Sequence, residues 1–120
     1  MGNRAVIATE TQTGYDVMPD IYLHWNGGWD SVSLFMQKLV DVMGDRITDV
    51  PYSWARLIGI IHNHIEPPLS LGVALPENTD RDNGDNGTYF VTFLMDGSIS
   101  VRNDYDGVDR SFKRAKHEAS

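Results

Sequence analysis

The sequence predicts a single α+β domain, with a mainly antiparallel β-sheet and two helices packed on one face. Three observations predict it. Apolar residues alternate at both ends of the chain, two helical stripes lie together in the middle, and no linker divides them. The expected order is β-β-α-α-β-β-β over residues 1–120, and a chain of 120 residues suits one compact core.

The segment "NRAVIAT" (3–9) is rich in β-branched residues and reads as the first strand. "ETQTGYDVMPD" (10–20) carries Gly14 and Pro19 and reads as a loop or wide hairpin connection. "IYLHW" (21–25) is the second strand, antiparallel to the first. Its alternation sets Ile21, Leu23 and Trp25 on one face, toward the core, and Tyr22 and His24 on the other. Asn26, Gly27 and Gly28 break it, and Asp30 is placed to cap the helix that follows. Val32, Phe35, Met36, Leu39, Val40 and Met43 form that helix's apolar stripe, and Gly44 ends it.

A second helix is expected from Ser53 to His64, with Trp54, Leu57, Ile58, Ile61 and Ile65 buried, stopped by Pro67 and Pro68. "LSLGVALP" (69–76) reads as a strand, and "ENTDRDNGDNG" (77–87) as an acidic, turn-rich loop. "TYFVTFLM" and "SISVRND" flank Asp96-Gly97 and read as a hairpin with a two-residue type I′ turn. The basic tail, 109–120, reads as a short helix or a frayed end.

Composition narrows the function. Ten Lys plus Arg against 17 Asp plus Glu give a formal charge of −7, which argues against broad nucleic-acid binding through phosphates. There is no Cys, so disulfides, zinc thiolate sites and Cys nucleophiles are excluded. No apolar run approaches a membrane span, and the N-terminal segment has no apolar signal core. An intracellular protein is the expectation. Val6 stands where a myristoylation motif needs Ser or Thr.

The corner "HWNGGWD" (24–30) is the first candidate site. Two glycines let a ligand approach the backbone, Trp25 and Trp29 offer flat faces, and His24 and Asn26 offer hydrogen bonds. The start of the helix favours an anion. The structural alternative makes Gly27-Gly28 a turn and the tryptophans core anchors. No phosphate-loop pattern accompanies the glycines.

Two other patterns weaken on inspection, and a third stays open. His62 and His64 would point about 200° apart on a helix, so one ion cannot take both. Asn78, Asp80 and Asp82 have the spacing of an EF-hand loop, but Asn83 stands where Gly is needed and Tyr89 where Glu is needed. Arg56 lies in an otherwise apolar helix, where it could pair with the acidic loop or bind a ligand carboxylate or phosphate. No Ser or His sits in a nucleophile context.

"MGNRAVI", "IYLHWNGG", "WARL" and "DNGDNG", in this order over about residues 1–90, resemble a group of short uncharacterised bacteriophage and prophage proteins. The resemblance implies a small accessory phage protein acting in a bacterial host. It carries no activity and no catalytic residues.

The expected function is therefore non-enzymatic binding in the host bacterial cytoplasm. The partner would be a host protein or a small, nucleotide-like ligand, and the role the blunting of a host defence. The expected ligand site combines His24, Asn26, Gly27, Gly28 and Trp29 with Arg56 and the loop residues Asp82, Asn83, Asp85 and Asn86. No catalytic residue, metal ligand or cofactor is assigned. The alternatives are a small metal-dependent hydrolase using His24 and the loop carboxylates, or a phage structural or assembly protein. A homodimer through the edge of the hairpin "TFLMDGSISV" is compatible with all three.

Overall fold

A computed structural model describes residues 3–10, 17–65 and 70–114. Strands β1 (Ala5–Thr9) and β2 (Asp20–Leu23) precede helices α1 (Trp29–Met43) and α2 (Val50–His64). Strands β3 (Leu71–Ala74), β4 (Thr88–Phe93), β5 (Ile99–Asn103) and β6 (Asp109–Phe112) follow. They form one sheet in the order β3-β2-β1-β4-β5-β6, with the α+β class as expected. Every pairing is antiparallel except β1 with β4. The expected stop at Pro67–Pro68, the 11–16 connection and the tail 115–120 lie outside the described residues.

Both helical stripes were legible. Val32, Phe35, Met36, Leu39 and Val40 of α1 are buried, as are Trp54, Leu57 and Ile61 of α2. They pack on Ile7, Ile21, Leu23, Tyr89, Val91 and Val101 of the sheet in one core. The Trp54 indole N–H donates to the Pro19 carbonyl at 2.8 Å and fastens α2 to the entry of β2. Gly44 ends α1 at φ 54°, where glycine carries no Cβ penalty. Among the described residues no helix is long and apolar enough to cross a membrane.

The helix starts differ from expectation. Gly28, not Asp30, occupies the cap of α1. Asp30 stands within the first turn, where its charge favours the positive end of the helix dipole, and its Oδ1 accepts from Ser31 N at 2.9 Å. Helix α2 begins at Val50 with Pro51 in its first turn, where a missing N–H breaks no helical bond.

The hairpin of β4 and β5 is present, but its turn is not two residues long. Gly97 N donates to Leu94 O, Leu94 N to Ser98 O, and Gly97 sits at φ 91°. That is a wider turn closed by a left-handed glycine. Both strands are paired on both sides, so the hairpin has no open edge; among the described residues the edge strands are β3 and β6. Strand β6 itself was expected as part of a tail.

The sheet buries both faces. Val6 and Ala8 are fully buried, yet they alternate with Ala5 and Ile7 and so point away from the helices. The β3–β4 connection crosses this second face. Arg81 from that connection binds Asp20 and lies over the Phe90 ring at 5.4 Å, and Arg102 covers the same ring at 4.8 Å. The acidic, turn-rich segment thus covers a sheet face that no helix reaches.

Candidate functional site

Three loops meet at one end of the sheet: the corner after β2, the end of the β3–β4 connection, and the β5–β6 turn. The start of β1 joins them. Gly27 N donates to Asn3 O at 2.9 Å, and Asn86 Nδ2 donates to Asn3 Oδ1 at 2.7 Å and Arg4 O at 3.0 Å. Arg4 gives Asp85 Oδ2 two hydrogen bonds, from its backbone N at 3.0 Å and from Nε at 2.8 Å. Corner and acidic loop are therefore neighbours, with Asn3 and Arg4 as the bridge.

Asn83 organises the loop. Its Oδ1 accepts from the backbone N–H groups of Asp85, Asn86 and Gly87 at 3.1, 3.2 and 3.1 Å, while its Nδ2 donates to Gly87 O at 3.0 Å. The residue is buried, and Asp85 N and Gly87 N depend on its side chain, while Asn86 N also donates to Arg4 O at 3.0 Å. Asn103, also buried, does the same for the third loop. Its Oδ1 accepts from Tyr105 N and Asp106 N, and its Nδ2 donates to Asn86 O at 2.8 Å. Tyr105 ties the two loops together, donating its hydroxyl to Asp82 and accepting from Gly84 N at 2.9 Å. The Asp82 carboxylate raises the Tyr105 hydroxyl pKa.

Two of the expected ligand residues prove structural. A Cβ on Gly27 would fall 2.6 Å from Asn3 O and 2.7 Å from Ala5 Cβ, so the chain itself fills the space beside this glycine. Its carbonyl accepts the buried Tyr89 hydroxyl at 2.6 Å, whose pKa burial pushes well above the ordinary value. Trp29 stands edge-on to Tyr89, with centroids 4.9 Å apart. Its indole N–H donates to Asp106 at 2.9 Å, and Arg110 covers its face at 4.4 Å. Its N–H and one ring face are thus already engaged, and the residue is half-buried.

His24 and Trp25 are exposed. The expectation of a buried Trp25 fails because β2 ends at Leu23 and the chain bends there, so strand parity no longer applies. Asn26 follows at φ 66°, a left-handed conformation that Asn tolerates better than most residues. The His24 ring is edge-on to Trp25 at 5.2 Å, and its Nδ1 lies 3.1 Å from the Tyr22 hydroxyl. Tyr22 and Asp80 in turn bear electrostatically on Arg4. An aromatic string, Tyr22–His24–Trp25, thus borders the Arg4–Asp85 pair.

Arg56 does not belong to this site. It lines a shallow cavity with Val42, Met43, Arg46 and Tyr52, at the end of α1 away from the corner. A helix running from Trp29 to Met43 separates the two by about 20 Å. The loop's arginine partner is Arg4 instead, which sequence reasoning missed. Its signal was a charged residue directly before the apolar run "AVIA".

Chemically the platform is self-satisfied. No buried side-chain nitrogen or oxygen among the described residues lacks a hydrogen-bond partner. Among those residues no three His, Asp or Glu side chains are grouped to hold a metal ion. Asp82 and Asp85 are instead engaged separately, by Tyr105 and Arg4. No family model, curated protein or solved structure matches this chain.

Proposed function

We propose that this chain is a small accessory protein of phage or prophage origin that acts by binding, not by catalysis. It works in the host bacterial cytoplasm. Its target is a host protein or a small, nucleotide-like ligand, and it blunts a host defence by occlusion or sequestration.

One observation carries the reading. The corner, the acidic loop and the β5–β6 turn are locked into one platform, and the string of half-buried Tyr22 and exposed His24 and Trp25 stands at its border. A rigid surface with open aromatic faces binds at low entropic cost, because little has to be ordered on association. Aromatic faces suit a flat ligand or a protein anchor. The binding group moves accordingly, from Trp29 and Arg56 to Tyr22, His24, Trp25 and Arg4.

The test is native mass spectrometry on tagged protein recovered gently from host cells, comparing wild type with a His24→Ala, Trp25→Ala double variant. Both residues are exposed, so the melting temperature should hold. The expected result is a small adduct or a co-purifying protein on the wild type that the variant lacks. Retention by the variant, or neither species on the wild type, would overturn the reading.

A further inference from the structure

The two open edges of the sheet differ. Strand β6 begins with Asp109 and Arg110, and Arg110 reaches Ser33 of α1 at 3.2 Å. Just beyond it, Lys113 O accepts from Gln37 at 2.9 Å. Charge and a neighbouring helix guard that edge in the way sheet proteins ordinarily do. Strand β3 has neither. Its run "LGVAL" (71–75) carries no charge and no proline, Val73 is 50% exposed, and Leu75 is 54% exposed.

The backbone of β3 is set for further pairing. His24 N donates to Ser70 O at 2.9 Å, which makes this a hydrogen-bonded pair. By antiparallel alternation Tyr22–Gly72 and Asp20–Ala74 are the next such pairs. Leu71 and Val73 therefore turn their own N–H and C=O groups to the open edge. Leu75, still extended at φ −64° and ψ 150°, keeps only its N–H in this series, because its carbonyl accepts from Asn78 N and Thr79 Oγ1, each at 2.9 Å. The register beside Leu23 and Ile21 places the Leu71 and Val73 side chains on the helix-bearing face. Val73 thus offers both free backbone groups and an uncovered apolar side chain, with Leu71, half-buried against the core, beside it.

We infer that β3 pairs antiparallel with β3 of a second copy of this chain, with the two-fold axis at Val73. That register sets Val73 beside Val73 of the second copy and each Leu71 beside the other Leu75. It joins two six-stranded sheets into one continuous sheet and brings the exposed valines and leucines together. The choice of a second copy rests on charge and symmetry. In a chain of net charge −7, an uncharged edge is where two copies approach without repulsion. The pairing is self-complementary, as a two-fold interface requires. It replaces the dimer expected at the β4–β5 hairpin, whose strands are already paired.

Sedimentation equilibrium across a wide concentration range tests it, together with two substitutions. The wild type should sediment as a dimer. Val73→Lys places like charges together at the axis and should give a folded monomer whose melting temperature matches that of the wild type at dilutions where the wild type is also monomeric, since Val73 is half exposed. The chain has no cysteine, so single-cysteine variants report proximity cleanly. Hydrogen-bonded pairs hold their Cα atoms about 5.5 Å apart, within disulfide reach. Val73→Cys should therefore cross-link under mild oxidation, while Val42→Cys, 61% exposed on α1, should not. A wild type that stays monomeric, a dimer that survives Val73→Lys, or equal cross-linking by Val42→Cys would overturn the inference.

Discussion

Arg81 clasps Asp20 across a third strand. Its Nε donates to Oδ2 at 2.8 Å and its terminal nitrogen to Oδ1 at 3.0 Å, while its guanidinium carbon lies over Phe90. The pairing of Ile7 with Ile21 continues to Ala8 beside Asp20, and Ala8 pairs with Phe90. Asp20, Ala8 and Phe90 therefore form one row across β2, β1 and β4. Only a small residue in the middle leaves room for the guanidinium to lie across it.

Breaking this pair should be costly on one side and mild on both. The Asp20 side chain is fully buried, so Arg81→Met leaves an uncompensated buried charge. Such losses cost about 3–5 kcal/mol. Arg81 is 37% exposed, so partial solvation brings the expected value toward about 2–3 kcal/mol. The double variant Asp20→Asn, Arg81→Met should recover more than half of it. Urea unfolding of the four members of this cycle measures the coupling. Additivity would show that the two residues act independently.

Asn83→Ala should loosen the loop more than any exposed loop substitution. It removes the only side-chain acceptor of Asp85 N and Gly87 N at a buried position, while Asn86 N keeps its bond to Arg4 O. Each orphaned group costs about 1–3 kcal/mol unless water reaches it. A loss of about 3 kcal/mol is expected, with hydrogen exchange accelerated at Asp85 and Gly87 more than at Asn86, which keeps its bond to Arg4 O. Asn83→Asp keeps the acceptors but sets a carboxylate oxygen against Gly87 O, so it should fall between wild type and Ala. Unchanged exchange in the Ala variant would mean that the loop does not depend on this side chain.

Stability should fall at both pH extremes for identifiable reasons. Hydrogen bonds from Arg4 hold the Asp85 carboxyl below its ordinary 3.8, and those from Ser98 do the same for Asp96. A depressed carboxyl contributes stability that is present above the unfolded value and lost as pH falls through the folded one. Burial raises the Tyr89 hydroxyl above its ordinary 10.0, so its contribution is present below that value and lost as pH rises. Melting temperature against pH should show both limbs. Asp85→Asn should make the acid limb shallower and leave the alkaline limb unchanged; an unaltered acid limb would remove Asp85 from the account.

The helices and central strands were legible because their signal is local. The stripe from Val32 to Val40 and the alternation in "AVIA" survive in any context that supplies a core. Trp25 was misread because parity was extended two residues past the end of β2. Arg56 was misread because its charge was visible and its position was not. The loop read as turn-rich from composition, but nothing local marks Asn83 and Asn103 as the buried asparagines among so many exposed neighbours. Strand β6 carries a single buried apolar residue, Phe112, too little for a period to register.

The two glycines of the corner should respond unequally to the same substitution. At Gly27 an added methyl meets Asn3 O at 2.6 Å and Ala5 Cβ at 2.7 Å, in a bonded strand start that cannot step aside. Overpacking of this kind costs about 1–3 kcal/mol, and it also disturbs the Tyr89 bond to the Gly27 carbonyl. At Gly28 the methyl meets only Asp30 Oδ1 at 3.0 Å, the end of an exposed side chain that can rotate away, and the backbone is extended at φ −80° and ψ 165°. Gly28→Ala should therefore change stability by less than about 1 kcal/mol, the modest loss of a glycine cap offset by a stiffer unfolded chain. Thermal melts of the two variants decide the matter. Equal destabilisation would mean that the corner needs both glycines for a common reason, such as the ligand approach first expected of them.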